Sequence, residues 1–119
     1  MNTIAFNRDG ISISVSVYVF KEGDVFIAYC PSLDLSGYDT TESKARQDFE
    51  YMLSEYLRSQ MEQNTLHEDL VRHGWKVGPR KGTEPRFDEL LSANAQMQKV
   101  VAMPEFSKIN VNTRCPAYV

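Results

Sequence analysis

Thiols, charge of one sign and long apolar runs are all scarce in this chain, and each scarcity removes a class of protein. Cys30 and Cys115 are the only two cysteines in 119 residues. A small disulfide-stapled domain would carry more, so the pair is expected to be free in a reducing, cytoplasmic setting. Bases do not exceed acids: 13 Lys and Arg stand against 16 Asp and Glu, a net charge of -3. Phosphate affinity comes from clustered Lys and Arg, so binding nucleic acid over the whole surface is excluded. No apolar run approaches the roughly 18 to 20 residues needed to span a bilayer, and Met1-Asn2-Thr3-Ile4 lacks the basic-then-apolar layout of a signal peptide, so no membrane association is expected. There are no internal repeats or low-complexity tracts. With 42% hydrophobic and 24% charged residues the composition is that of an ordinary globular domain, and the length fits one core.

Ile11 to Phe20 alternates strictly, Ser12, Ser14 and Ser16 on one face and Ile11, Ile13, Val15 and Val17 on the other. That is a half-buried strand. Lys21-Glu22-Gly23-Asp24 supplies a turn, and Val25 to Cys30 alternates again, predicting an antiparallel hairpin. Pro31 has no amide hydrogen for a ladder and should end the strand or lie on an edge. Leu33-Asp34-Leu35-Ser36, closed by Gly37, reads as a short third strand of a meander.

Thr41 is placed to cap a helix, with Glu42 at its positive end, while Lys44 cannot complete a capping box. Ala45, Phe49, Met52, Leu53, Tyr56, Leu57 and Met61 recur at spacings of three and four, one apolar stripe expected to pack on the sheet. Thr65-Leu66-His67-Glu68 reads as a capping box for a second helix, Leu66 to His73, ended by Gly74. Trp75 to Val77 reads as extended, Gly78 to Thr83 as a loop, and a third helix starts near Pro85 or Arg86, its end not defined between Met97 and Met103. Ile109, Val111 and Thr113 predict a closing strand.

Val25-Phe26-Ile27-Ala28-Tyr29-Cys30-Pro31, Leu33, Gly37, Thr41 and Ala45 together resemble the HicB antitoxin family. Its hallmark is an aliphatic-Ala-Tyr/Glu-Cys-Pro-aliphatic strand, a second strand ending in Gly, and a Gly-Asp-Thr-x-x-Glu-Ala helix entry. Asp39 stands where the family usually has Gly, and Lys44 where it has Glu. The likeness is carried by residues 24–57. It implies a partial ribonuclease H-like α+β fold: a three- or four-stranded antiparallel sheet with one long helix packed on a face. In this reading residues 1–119 form a single domain, with a core at 9–78 and a helix-strand C-terminal extension at 79–119. The implied function is non-enzymatic, a HicB-like antitoxin or antitoxin-derived protein of a toxin-antitoxin system, typically a dimer, that binds and blocks a small basic ribonuclease toxin. The helix-turn-helix or ribbon-helix-helix segment that many HicB antitoxins append for operator DNA is not seen in residues 76–119.

Chemistry-bearing clusters are few. The first long strand has no Asp or Glu, so the carboxylates of a two-metal ribonuclease are not expected to converge; Asp34, Asp48 and Glu50 are the nearest candidates. His67 and His73 fall on different faces of one short helix, and the cysteines add no ligand spacing, so no metal and no cofactor are expected. Cys30 has no base beside it and reads as a buried thiol. Glu42 to Arg72 holds seven acids against four bases, whereas Trp75 to Arg86 holds four bases against one acid. A stand-alone nucleic-acid-binding module, contacting RNA or an acidic partner through Trp75, Lys76, Arg80, Lys81 and Arg86, is therefore an alternative, with weak nucleic-acid affinity at most. An orphan homodimeric scaffold is another.

Overall fold

The computed structural model describes residues 2–116. In chain order its elements are β1 (Thr3–Asn7), β2 (Gly10–Glu22), β3 (Val25–Cys30), β4 (Leu35–Asp39), α1 (Glu42–Gln63), α2 (Leu66–Arg72), β5 (Lys76–Val77), β6 (Lys81–Thr83), α3 (Phe87–Ala93), α4 (Ala95–Val101) and β7 (Ser107–Pro116). The class is α+β, and every strand pairing is antiparallel. The expected hairpin, meander and long helix are present. The expected strand count is not: the sheet has seven strands, ordered β4-β3-β2-β1-β6-β5, with β7 also on β2. The additional strands could not be read locally, because β1 offers only Ile4 and Phe6 as large apolar residues and β6 is three residues long. The described part of the expected extension, 79–116, is woven into the same sheet, β6 pairing β1 and β7 pairing β2 from Gly10 to Val19.

β2 organises everything. On one edge it carries β7 over Gly10–Val19. A strand has only two edges, so β1, at Gly10–Ile13, and β3, at Tyr18–Glu22, must share the other. That edge is therefore split, and residues 14–17 of β2 lie in the gap.

The alternation of β2 sends its two faces into two cores. Ile11, Ile13, Val15, Val17 and Val19 join Ile4, Ala28, Cys30, Leu33 and the buried stripe Ala45, Phe49, Leu53 and Leu57 of α1. Of the other expected stripe residues, Tyr56 and Met61 are half-buried and Met52 is exposed. On the opposite face the serines give way to Tyr18 and Phe20, which pack with Tyr29 under Met97 and Val100 of α4. Helices thus cover both faces, where one helix on one face was expected. Asn94 divides the C-terminal helical region: its Oδ1 accepts from the amides of Gln96 (2.9 Å) and Met97 (3.1 Å), starting α4 where α3 ends.

Three local expectations also change. The third strand runs from Leu35 to Asp39 rather than Leu33 to Ser36, because Asp34 takes a left-handed turn with φ 53°. Gly37 lies inside that strand, where α1 crosses so closely that a Cβ would sit 2.3 Å from the Phe49 amide nitrogen. Thr41 caps α1 as expected, accepting from the Lys44 amide at 3.1 Å. Thr65 does not cap α2, since its hydroxyl donates to Gln60 Oε1 instead. Gly74 does end α2: at φ 92° it lets the Trp75 amide reach back to the Leu70 carbonyl at 3.0 Å, the 6→1 bond of a Schellman cap.

Candidate functional site

The basic segment divides three ways. Trp75 is 3% exposed, and its indole N–H donates to the Ser32 carbonyl at 2.8 Å. Its ring belongs to the core and is not available to stack on a base, which corrects that part of the expectation. Arg86 is engaged at the start of α3: its amide donates to Glu89 Oε1 at 3.0 Å, and its guanidinium pairs with Asp88 (3.3 Å) and Glu89 (3.4 Å). Lys76, Arg80 and Lys81 remain exposed on the β5–β6 hairpin, with no ion pair among the described residues.

The one acid of that segment, Glu84, accepts four side-chain and backbone hydrogen bonds through its carboxylate. It enters the gap in the β2 edge, where Oε2 accepts from the Ser16 amide (3.1 Å) and the Ser32 hydroxyl, and Oε1 from the Ser16 hydroxyl (3.1 Å) and Asn2 Nδ2 (2.9 Å). A carboxylate substitutes there for the missing strand. Residues 16, 32 and 84 are too far apart in sequence for any local pattern to have shown this.

The reactive residue types are similarly occupied. Cys30 is fully buried, and burial pushes its thiol up to about 12, so it is protonated and inert at neutral pH. His67 stacks on Phe6 with ring centroids 4.3 Å apart, and His73 Nδ1 lies 2.8 Å from the Asp69 carbonyl. Asp34 accepts from the Tyr29 hydroxyl, Asp48 from the Tyr38 amide, and Glu50 pairs with Arg46. Among the described residues, no three of His, Cys, Asp or Glu gather closely enough to hold a metal ion. A cleft of about 660 Å³ opens between the β3–β4 turn, the end of α2 and the α3–α4 junction. Asn94 at its wall donates to the Tyr29 hydroxyl, which in turn donates to Asp34. Among the described residues, no buried side-chain nitrogen or oxygen lacks a partner.

A different surface exposes large apolar and aromatic side chains. Tyr38, Tyr51 and Met52 are 66%, 63% and 39% exposed, on β4 and the adjoining flank of α1. Asp48, Met52, Glu55 and Glu62 follow at helical intervals of four, three and seven, so the acids run down the same flank, where Arg58 pairs with Glu55 and Glu62 and leaves the acids in excess. The Asp48 carboxylate accepts from the Tyr38 amide at 3.0 Å and ties the helix to the edge strand, while the Tyr38 ring, opposite Ile27 and alternating with Gly37, lies on the sheet face away from α1. Sequence reading assigned Met52 to the core stripe and did not single out Tyr38 or Tyr51. Among the described residues no helix is long and apolar enough to cross a membrane.

No protein-family model, no curated protein and no solved structure matches this chain, so the resemblance to HicB antitoxins rests on the motif residues 24–57 alone.

Proposed function

We propose that this chain is a non-catalytic binding protein of the antitoxin kind, whose α1 flank covers a small basic protein, a ribonuclease toxin in the HicB-like reading. The observation that carries the proposal is the exposed Tyr51–Met52 pair on the α1 flank, beside Asp48, Glu55 and Glu62. Tyrosine and methionine are enriched among the anchors of protein interfaces, and clustered exposed apolar side chains with a polar rim mark docking sites. The acidic rim selects a basic partner and speeds encounter, while burial of the anchors holds it. Two further observations support the antitoxin form of the reading: Cys30 and Gly37 of the motif have structural roles, one buried and one under α1, and the reactive side chains are held in structural bonds.

The test is a binding titration against the product of a small basic reading frame adjacent to this gene. A stable complex is expected, weakened about tenfold or more by Tyr51→Ala with Met52→Ala, in line with the loss of two interface anchors. A complex indifferent to that double variant, while the variant keeps its melting transition, would remove the α1 flank from the interface. A neighbour that does not bind would remove the antitoxin reading.

A further inference from the structure

The sheet face away from α1 is covered by α3 and α4 only over Tyr18, Phe20 and Tyr29. Its other half is bare, and the strand register shows how it is built. Lys81 lies opposite Ala5, Ala5 opposite Ser12, and Ser12 opposite Arg114. Directly opposed residues share a face, so these four make one transverse row. In the next row Lys76 opposes Thr83, Thr83 opposes Thr3, the Thr3 amide reaches the Ser14 hydroxyl, and Ser14 opposes Asn112. The two rows form a floor of small hydroxyl, methyl and amide groups with cationic arms at its margins. Three strand spacings separate Lys81 from Arg114, about 14 Å. A shallow groove of about 430 Å³ runs over the floor between Thr3, Ser12, Ser14, Asn112 and Arg114. Lys76, Lys81 and Arg114 are exposed and form no ion pair among the described residues.

We propose that this bare sheet face docks double-stranded RNA, with Lys81 and Arg114 reaching phosphates on either side of a shallow groove and the hydroxyl and amide floor meeting the ribose edge. Charge selects a polyanion, since none of the floor or margin residues is acidic while the α1 layer behind the sheet is. The floor argues against a protein occupant, because interface cores need large apolar or aromatic anchors and this one offers nothing bulkier than asparagine. It argues against single strands as well, since it has no aromatic ring to stack a base. It disfavours B-form DNA, whose grooves are read by an inserted helix or ribbon; a surface without protrusions suits the wide, shallow minor groove of A-form RNA and its 2′-hydroxyls. Lys, Arg, Ser, Thr and Asn side chains are the usual donors to nucleic-acid backbones.

Anisotropy titrations of the full chain against a labelled RNA duplex of about 20 base pairs, the DNA duplex of the same sequence and the separate RNA strands test this. Three phosphate contacts, from Lys76, Lys81 and Arg114, predict a log-log salt slope of about -3, with binding in the weak, non-specific range near 10 μM at low salt. Lys81→Ala and Arg114→Ala are each expected to make the slope shallower by about 1, while Lys99→Ala, on α4, leaves it unchanged. Tyr51→Ala, on the opposite side of the sheet, should also leave it unchanged, which separates this proposal from the protein-docking one. The variants are compared only where melting curves show an intact fold; for any that does not fold, Lys76→Ala on the same face replaces it with the same expected shift. No RNA-duplex binding at low salt, equal or tighter binding of DNA or single strands, or slopes insensitive to the margin variants would each overturn the proposal. So would concentration-dependent self-association through this face, with the acidic α1 of a second copy taking the duplex's place.

Discussion

Removing the carboxylate from the β2 gap should cost this small domain much of its stability. In Glu84→Ala four hydrogen bonds disappear, from the Ser16 amide, the Ser16 hydroxyl, the Ser32 hydroxyl and the Asn2 amide. Asn2 Nδ2 also donates to Ser16 Oγ and Asn110 Oδ1, and the Ser32 hydroxyl lies 3.4 Å from Cys30 Sγ, so those two donors have other partners. The Ser16 amide does not, because no strand occupies that edge between β1 and β3. Ser16 is only 6% exposed, and water reaches it poorly. Bonds to a charged acceptor contribute about 1.5 to 3 kcal/mol each. Counting the two Ser16 bonds alone, and discounting for the partial exposure of Glu84, the loss is about 3 kcal/mol, or a melting temperature lower by about 10 °C. Glu84→Gln keeps the shape and one acceptor oxygen for the Ser16 amide, so it should cost about 1 kcal/mol. Glu105→Ala removes an exposed acid that forms no hydrogen bond or ion pair among the described residues, and should stay within about 0.5 kcal/mol. Urea unfolding of the three variants gives the ranking. A Glu84→Ala loss no larger than that of Glu105→Ala would refute the claim that this carboxylate stands in for a strand.

Phe49 is fully buried in the α1 stripe, so Phe49→Ala should cost about 3 to 5 kcal/mol through lost burial and a cavity, against less than about 0.5 kcal/mol for Glu50→Ala, whose salt bridge to Arg46 is exposed; equal losses in a urea titration would sink the stripe. The Cys30 thiol, held up to about 12 by burial against an unfolded value of 9.0, keeps its proton in the folded chain while the unfolded chain loses it, so this group lowers stability as pH rises from 9 towards 12 and has no effect below 9. Denaturant unfolding across that range should show a smaller alkaline loss in Cys30→Ala than in the parent chain, and identical pH slopes would refute the assignment.

Elements dictated by local chemistry were legible from the residues. The alternation of Ile11 to Phe20, the Lys21 to Asp24 turn, the Thr41 cap and the three-and-four spacing of Ala45, Phe49, Leu53 and Leu57 each follow from a period or a backbone requirement within a few residues, and each is present. What escaped depends on partners distant in the chain. β1 and β6 are strands because each completes the other's ladder, not because five or three residues would be extended alone. Tyr18 and Phe20 break the polar face of β2 because α4, some eighty positions later, lands there. Trp75, open to either a core or a base-stacking role from its neighbours, is fixed inside by the distant Ser32 carbonyl.

The same division holds for the surfaces. Charge blocks were visible in the residues: acids from Glu42 to Arg72, bases from Trp75 to Arg86. Arg114 joins Lys81, and Glu84 leaves the basic segment for the β2 gap, only once β7 and β1 lie on either side of β2. Periodicity determines which residues share a face of one element. Strand order and register decide which elements share that face, and those are set by the burial and hydrogen bonding of the whole chain at once.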